Sequence, residues 1–249
     1  MNWTKIKNII LAFLIVMNIF MLFVIAFTSN QKTKIDKKVI DSSISVLRKS
    51  GFKIKKEDFP DSYYKLPSYS ATFYSAGELS ELFFKKQIAF STSENSLIAS
   101  ENNKKLTVSG NHFIFESNCE EKKSNHDEIL TVLEEYGIDM QGAVYDTKND
   151  CFYRMFNNAN LFNMSIQAKI DKNGDLCYVN AYWPKSLKEG KSEELSFIEN
   201  AIKLKALFPE GGRIQKIELG YSLQDVGGEN YSFIPAWRVS VDGELKIIE

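Results

Sequence analysis

Residues 9–27 read IILAFLIVMNIFMLFVIAF, an apolar run broken by one polar side chain, Asn18. As a helix rising about 1.5 Å per residue, it would extend roughly 28 Å, the thickness of a bilayer's hydrocarbon core. The competing reading is a cleaved export signal, because the run is N-terminal and follows Lys5 and Lys7. Signal cores are shorter, however, and the exit at 26–30, AFTSN, is a poor small-x-small cleavage site with no lipid-accepting cysteine beside it. The stretch therefore predicts an uncleaved transmembrane helix at 9–27, with a tail at 1–8, a juxtamembrane linker at 28–35 and a large C-terminal body.

Charge asymmetry does not orient this helix. Lys5 and Lys7 lie on one flank, and Lys32, Lys34, Lys37 and Lys38 on the other. A first hydrophobic segment behind a very short basic N-terminus usually acts as a signal anchor. The expectation is a single-pass protein of the cell membrane, N-terminus cytoplasmic and C-terminal body extracytoplasmic.

The net charge of the chain is −1, and Lys5, Lys7, Lys32 and Lys34 are the only charges before Ile35, so the body is more acidic than the whole. That balance argues against nucleic acid as a partner and against a polybasic membrane-surface domain. Cys119, Cys151 and Cys177 are widely spaced, no CxxC pair occurs, and His112 and His126 complete no recognised zinc spacing with them. Two of the cysteines could pair in an exported domain, and all three could equally pack as small apolar residues.

In the body, apolar positions at helical spacing predict helices over 36–49 and 76–84, each entering a β-rich stretch. Phe59-Pro60 and Leu66-Pro67 keep 58–68 out of regular structure. Strands are expected at 69–74, 87–90, 96–100, 105–108 and 112–116, joined at Asn102-Asn103 and Gly110-Asn111 as an antiparallel meander. The polar stretch 118–125 reads as a linker between a first α+β unit, 36–117, and a second, 126–249. V-L-x-x-x-G-Φ occurs at 46–52 and again at 132–138, which suggests a duplication. The second unit reads as a helix, strands at 152–156, 164–170 and 176–183, a helix at 192–208 ended by Pro209, and strands at 214–222, 231–241 and 245–248. Asp171-Lys172-Asn173-Gly174-Asp175 is a hairpin turn; a calcium loop would need a carboxylate where Tyr182 stands. The fold class is α+β: one N-terminal transmembrane helix followed by two antiparallel-sheet-plus-helix units.

No catalytic constellation emerges. G-x-S-x-G, H-E-x-x-H and P-loop patterns are missing, and Cys119 and His126 lie on the polar linker without an oxyanion-hole signature. The reading is a protein that is not an enzyme, with no cofactor, metal or catalytic residue. Tyr63-Tyr64, Tyr178, Tyr182-Trp183 and Trp237 could line a ligand groove, although aromatics on strands are more often core or sheet-face residues. Pro235, lacking an N–H, places the start of its strand at an edge or bulge, with Trp237 and Val239 facing one side together.

Two motifs at opposite ends of the chain carry a resemblance. Met1-Asn2-Trp3-Thr4-Lys5-Ile6-Lys7, with Asn18-Ile19-Phe20-Met21-Leu22 inside the span, is similar to the YycI-family anchor, M-D-W-[ST]-[KR]-x-K followed by a run like L-x-L-N-I-F-L; Asn2 departs from its acidic residue. Phe233-Ile234-Pro235-Ala236-Trp237-Arg238-Val239, followed by Asp242-Gly243, resembles the Φ-P-A-W-R-Φ strand of YycI and of PepSY-like domains. The resemblance implies a non-enzymatic regulator of a WalK/YycG-type sensor histidine kinase, acting with a YycH-like partner through its transmembrane helix and ectodomain. Asn18, an amide within lipid, is the residue expected to contact a partner helix, the alternatives being a bond to its own backbone or pairing with a second copy of the chain, and Trp3 reads as an interfacial anchor. The alternative from another class is a PepSY-type extracytoplasmic module that inhibits a protease or binds cell-envelope polymer through the sheet around Trp237.

Overall fold

The computed structural model describes residues 13–20, 34–118, 120, 122, 124–227 and 230–249. Residues 13–20 are helical and exposed. Among the described residues no helix is long and apolar enough to cross a membrane, and most of the expected span, 9–12 and 21–27, lies outside them.

The body is mixed α+β, dominated by one 14-stranded sheet with few helices. Its elements run α1 (Lys37–Lys49), β1 (Phe52–Lys53), a 3-10 turn (Lys56–Asp58), β2 (Tyr64–Phe73), α2 (Ala76–Phe84), β3 (Ser91–Ser93), β4 (Ser96–Glu101), β5 (Lys104–Ser109), β6 (His112–Ser117) and α3 (His126–Glu135). They continue with β7 (Ala143–Asp146), β8 (Cys151–Phe156), β9 (Ala159–Ile170), β10 (Leu176–Tyr182), β11 (Pro184–Leu195), α4 (Phe197–Ala201), α5 (Lys203–Leu207), β12 (Gly212–Gly227), β13 (Asn230–Val241) and β14 (Glu244–Ile248). Along the main path the strand order is β11-β2-β13-β12-β9-β10-β6-β5-β4-β3.

That order corrects the expected division into units 36–117 and 126–249. β2 pairs β11 and β13, and β6 pairs β10, so strands from both sides of 118–125 alternate in one sheet. The cores follow the same weave. One is built by α2, β5, β6, α3 and β8–β10, with Leu79, Phe83, Phe115, Leu133, Ile166 and Trp183. Another joins α1 and the 52–59 loop to α4, α5 and β12–β14, with Ile44, Phe52, Phe197, Leu204, Trp237 and Val239. The body thus divides into an inner lobe made from the middle of the chain and an outer lobe made from its two ends. A third, smaller core of Tyr69, Leu161, Met164, Tyr221 and Phe233 sits where they join. A polar linker marks a break in apolar periodicity, but it carries no information about which strands will pair across it.

At the join, β12 meets β9 in parallel over Gly220↔Asn160 and Tyr221↔Leu161 alone. Gly220 permits this approach: a Cβ there would lie 2.4 Å from the Phe162 ring and 2.6 Å from the Asn160 carbonyl. Phe162 is itself buried, so it has little room to yield. Gly220→Ala is therefore expected to cost about 1–3 kcal/mol as overpacking, read as a lowered urea midpoint of the full chain; an unchanged midpoint means the lobes are not held at this contact.

The shared V-L-x-x-x-G-Φ motif is helix-ending chemistry. Gly51 and Gly137 follow α1 and α3 with φ of 93° and 86°, and Phe52 and Ile138 after them are buried. Ile138 N donates to Leu133 O at 3.0 Å, the long-range bond of a Schellman cap. The repeated pattern needs no duplication to explain it.

Several elements differ from their sequence reading. Residues 192–208 are not one helix: 184–195 is an exposed edge strand on β2, and the helical part begins after Ser196, whose Oγ accepts from Ile198 N at 3.2 Å. The segment KSLKEGKSEEL shows no apolar alternation because almost none of it is buried, so its end was drawn into the helical spacing that Leu195 shares with Ile198, Ala201, Ile202 and Leu204. Leu66-Pro67 lies inside β2 rather than in irregular chain, and 87–90 precedes the short β3 rather than forming a strand. Pro235 sits within a long strand, yet where β13's outer edge is unpaired, between β2 at 231–233 and β14 at 237–241. Asp171 fastens its hairpin by accepting from Asn173 N and Asp175 N.

α2 opens with a capping box in which Ser75 Oγ accepts from Glu78 N and Glu78 Oε2 accepts from Ser75 N. Glu78 also pairs with Lys185 at the start of β11. The Lys185 hydrogen bond, then the Ser75 N–H, hold the Glu78 carboxyl down at about 2. A carboxyl depressed in the fold contributes stability above the unfolded value, about 4.3, and loses it as pH falls towards 2. Both side chains are about two-fifths exposed, so the contribution is under about 1 kcal/mol. Glu78→Gln is expected to lower the Tm at pH 6 and to converge with the parent near pH 2; a gap that stays constant with pH would count against this pairing.

Candidate functional site

Trp237 lies at the inner side of β13, paired across to Leu219 on β12 and Ile248 on β14. Alternation turns Trp237, Val239 and Val241 into the outer-lobe core and Arg238 to the opposite face. There Arg238 Nε and Nη2 both donate to Glu218, and the guanidinium stacks over Phe162 at 4.5 Å. Burial works against the Glu218 charge, but Lys216 and Arg238 outweigh it and hold the carboxyl below its ordinary value.

The Trp237 ring meets Tyr64 and Phe197 edge-on, at 5.5 and 5.4 Å, and Phe197 in turn meets Phe59. Phe59, Tyr64 and Trp237 border a cleft of about 580 Å³ between the 56–61 loop, the start of α1 and the sheet. Ile35, Ile40, Phe59, Tyr64, Ile217, Leu219 and Trp237 supply its apolar surface, and Lys34, Lys37, Lys56, Glu57, Asp58 and Asp61 its charged part. Local sequence explains the shape. Ile35 N donates to Asp61 O at 2.8 Å, which draws the incoming chain against the loop, and Asp36 caps α1 by accepting from Lys38 N. Burial, then the charge of Asp61, raises the Tyr64 pKa and keeps that phenol neutral.

A second polar feature lies in the inner lobe. Arg154 is 1% exposed, turned inward by strand alternation on the same side of β8 as buried Phe152, beside a register shift between Tyr153 and Met155. Its Nε donates to Gln141 O at 3.0 Å, Nη1 to Pro184 O at 2.8 Å and Nη2 to Asp139 Oδ2 at 2.5 Å, with the Phe156 and Trp183 rings at 5.2 and 5.3 Å. Trp183 Nε1 donates to Asp139 O, and Tyr74 donates to Gly137 O while accepting from Asp139 N. This closed set of bonds pins the loop after α3 to the start of β11. It is a structural clasp, with every guanidinium nitrogen occupied.

Of the aromatics singled out in the sequence, the structure brings Tyr64 and Trp237 together. Tyr63 packs against the outer core, Trp183 belongs to the clasp, and Tyr178 and Tyr182 lie on the other face of β10, where Tyr182 stacks on His112 at 4.1 Å. Cys119 lies outside the described residues, Cys177 is buried and Cys151 half-buried. Among the described residues no group of three His, Cys, Asp or Glu side chains could hold a metal ion. Asn18 is on the 13–20 helix, where its Nδ2 donates to Leu14 O at 2.8 Å, one turn back. The clasp had a readable signal, an arginine between Phe152 and Phe156 on one side of a strand. For the cleft, Tyr64 and Trp237 were readable one by one, but their meeting was not, because the walls come from opposite ends of the chain.

No protein family matches the sequence, and no curated protein matches it. Solved structures resemble parts of the fold. An uncharacterized protein from Eubacterium rectale ATCC 33656 superposes with a TM-score of 0.42 at 11% identity, covering 79% of this chain and 84% of that one. YycH from Bacillus subtilis superposes with a TM-score of 0.39 at 14% identity, covering 76% of this chain and 53% of that one, so this chain spans about half the length of YycH. At these scores neither likeness assigns an activity or a partner.

Proposed function

We propose that this chain is a membrane-anchored, non-enzymatic regulator of a WalK/YycG-type sensor histidine kinase, acting with a YycH-like partner and exposing its body outside the cell membrane. The observation that carries the reading is the meeting of the two ends of the chain. Lys34, Ile35 and Lys37, the first described residues beyond the expected anchor, share a cleft with Trp237 of the F-I-P-A-W-R-V strand. The chain that follows the expected anchor and the strand of the second motif thus meet at one place, which suits a device that couples a helix in the bilayer to a folded body.

In this reading Asn18 contributes to helix pairing. The bond to Leu14 O uses one N–H of the amide, and among the described residues its second N–H and its oxygen are open to a neighbouring helix. Interhelical bonds of this kind are worth about 0.6–2 kcal/mol, or about three- to thirtyfold in association. Asn18→Leu should leave membrane insertion and the body's Tm unchanged, reduce co-purification with the YycH-like protein or the kinase by that factor, and shift a kinase-dependent reporter. If the Leu variant binds and signals like the parent, and an anchor of unrelated sequence also supports signalling, the proposed coupling through the helix is wrong.

A further inference from the structure

The indole N–H of Trp237 has no acceptor among the described residues, although the ring is 2% exposed. An unpaired buried donor is costly, and the fold pairs its other described indole, Trp183, with the Asp139 carbonyl at 2.7 Å. Trp237 also borders the 580 Å³ cleft, within the size range of ligand sites, and its apolar neighbours there, Ile40, Phe59 and Leu219, offer no acceptor. The charged residues of the cleft are three lysines and three carboxylates, which favours a neutral occupant over an ion of either sign. A carboxylate brought to the indole would lose its water with no cation at the apolar floor to compensate, whereas an amide carbonyl is an acceptor that carries no charge.

We propose that this cleft binds a short extended peptide segment of neutral, aliphatic character, one main-chain carbonyl accepting the Trp237 indole N–H and one side chain resting on Ile40, Phe59 and Leu219. The nitrogen is shielded in the structure, so a carbonyl reaches it once a covering ring turns aside. We assign that part to Tyr64, which is half-buried, edge-on to Trp237 at 5.5 Å and itself on the cleft wall. The assignment concerns ligand chemistry and stands apart from the kinase reading, because it specifies no partner protein.

The test uses the full chain in detergent micelles with 15N-labelled tryptophan, the Trp237 indole signal being assigned by its loss in Trp237→Phe. Titration with the capped tripeptide acetyl-Leu-Ala-Leu-amide at millimolar concentration should move that signal downfield and saturate, leaving Trp3 and Trp183 in place. Trp237→Phe should bind the probe about tenfold more weakly, the loss of one hydrogen bond, while Tyr64→Ala should bind it more tightly. Absence of a saturable shift in both the parent and Tyr64→Ala overturns the proposal. So does equal binding by Trp237→Phe, or an equal shift with the charged N-acetyl-leucine in place of the tripeptide.

Discussion

Replacing Asp139 with alanine is expected to destabilise the protein by about 3–5 kcal/mol, because it leaves the buried Arg154 guanidinium without its carboxylate. The opposite change separates charge from shape. Asp139 is two-fifths exposed and can return to water, so Arg154→Met removes the buried charge and still fills the gap between Phe156 and Trp183. What remains unpaired and buried is the Pro184 carbonyl, at about 1–3 kcal/mol, because Gln141 is exposed and its carbonyl can bond water. Arg154→Met should therefore be milder than Asp139→Ala, in contrast to Arg154→Ala, which adds a cavity. Urea unfolding of the full chain, followed by near-UV circular dichroism, ranks the three. If Asp139→Ala proves the mildest, the guanidinium is reached by water and the clasp is not a buried pair.

Trp237→Ala should cost about 3–5 kcal/mol, the range for emptying a large aromatic site. The ring fills the space between Phe197, Tyr64 and the strand, so its loss opens the outer core beneath the cleft. Trp237→Phe should cost much less than a usual Trp truncation, since it also removes a donor that has no acceptor. Thermal unfolding of the two variants decides it: a Phe variant as unstable as the Ala variant means the N–H is satisfied in solution.

Local features were legible where burial imposed a period on the sequence. α1 and α2 appear in their apolar spacing, and the β4–β6 meander is announced by Asn102-Asn103, both at positive φ as the turn requires. β11 was illegible for the same reason in reverse. An edge strand exposed on both faces has no apolar side to alternate, and only its pairing with β2, more than a hundred positions earlier, makes it a strand. The lobes were hidden likewise. Sequence order suggested a cut at 118–125, whereas Phe52 is buried with Trp237 and Phe83 with Trp183. At the cleft, Trp237 could be singled out by its motif, but the apposition of Ile35, Phe59 and Leu219 is a property of the closed outer lobe alone.

The weave of the strands also sets an order of assembly. Once the chain has been made as far as Trp183, the residues of the inner core, from Tyr74 onward, all exist and can close on one another. α1, the 52–59 loop and β2 were made earlier, yet Ile44, Phe52 and Phe59 have nothing to cover them until α4 and β12–β14 arrive. The first part of the body to emerge is thus the last to be buried, and its closure is a late, long-range step of the kind that slows folding and leaves apolar surface open to capture. A ribosome stalled before β13 would release a chain with a finished middle and an unfinished beginning.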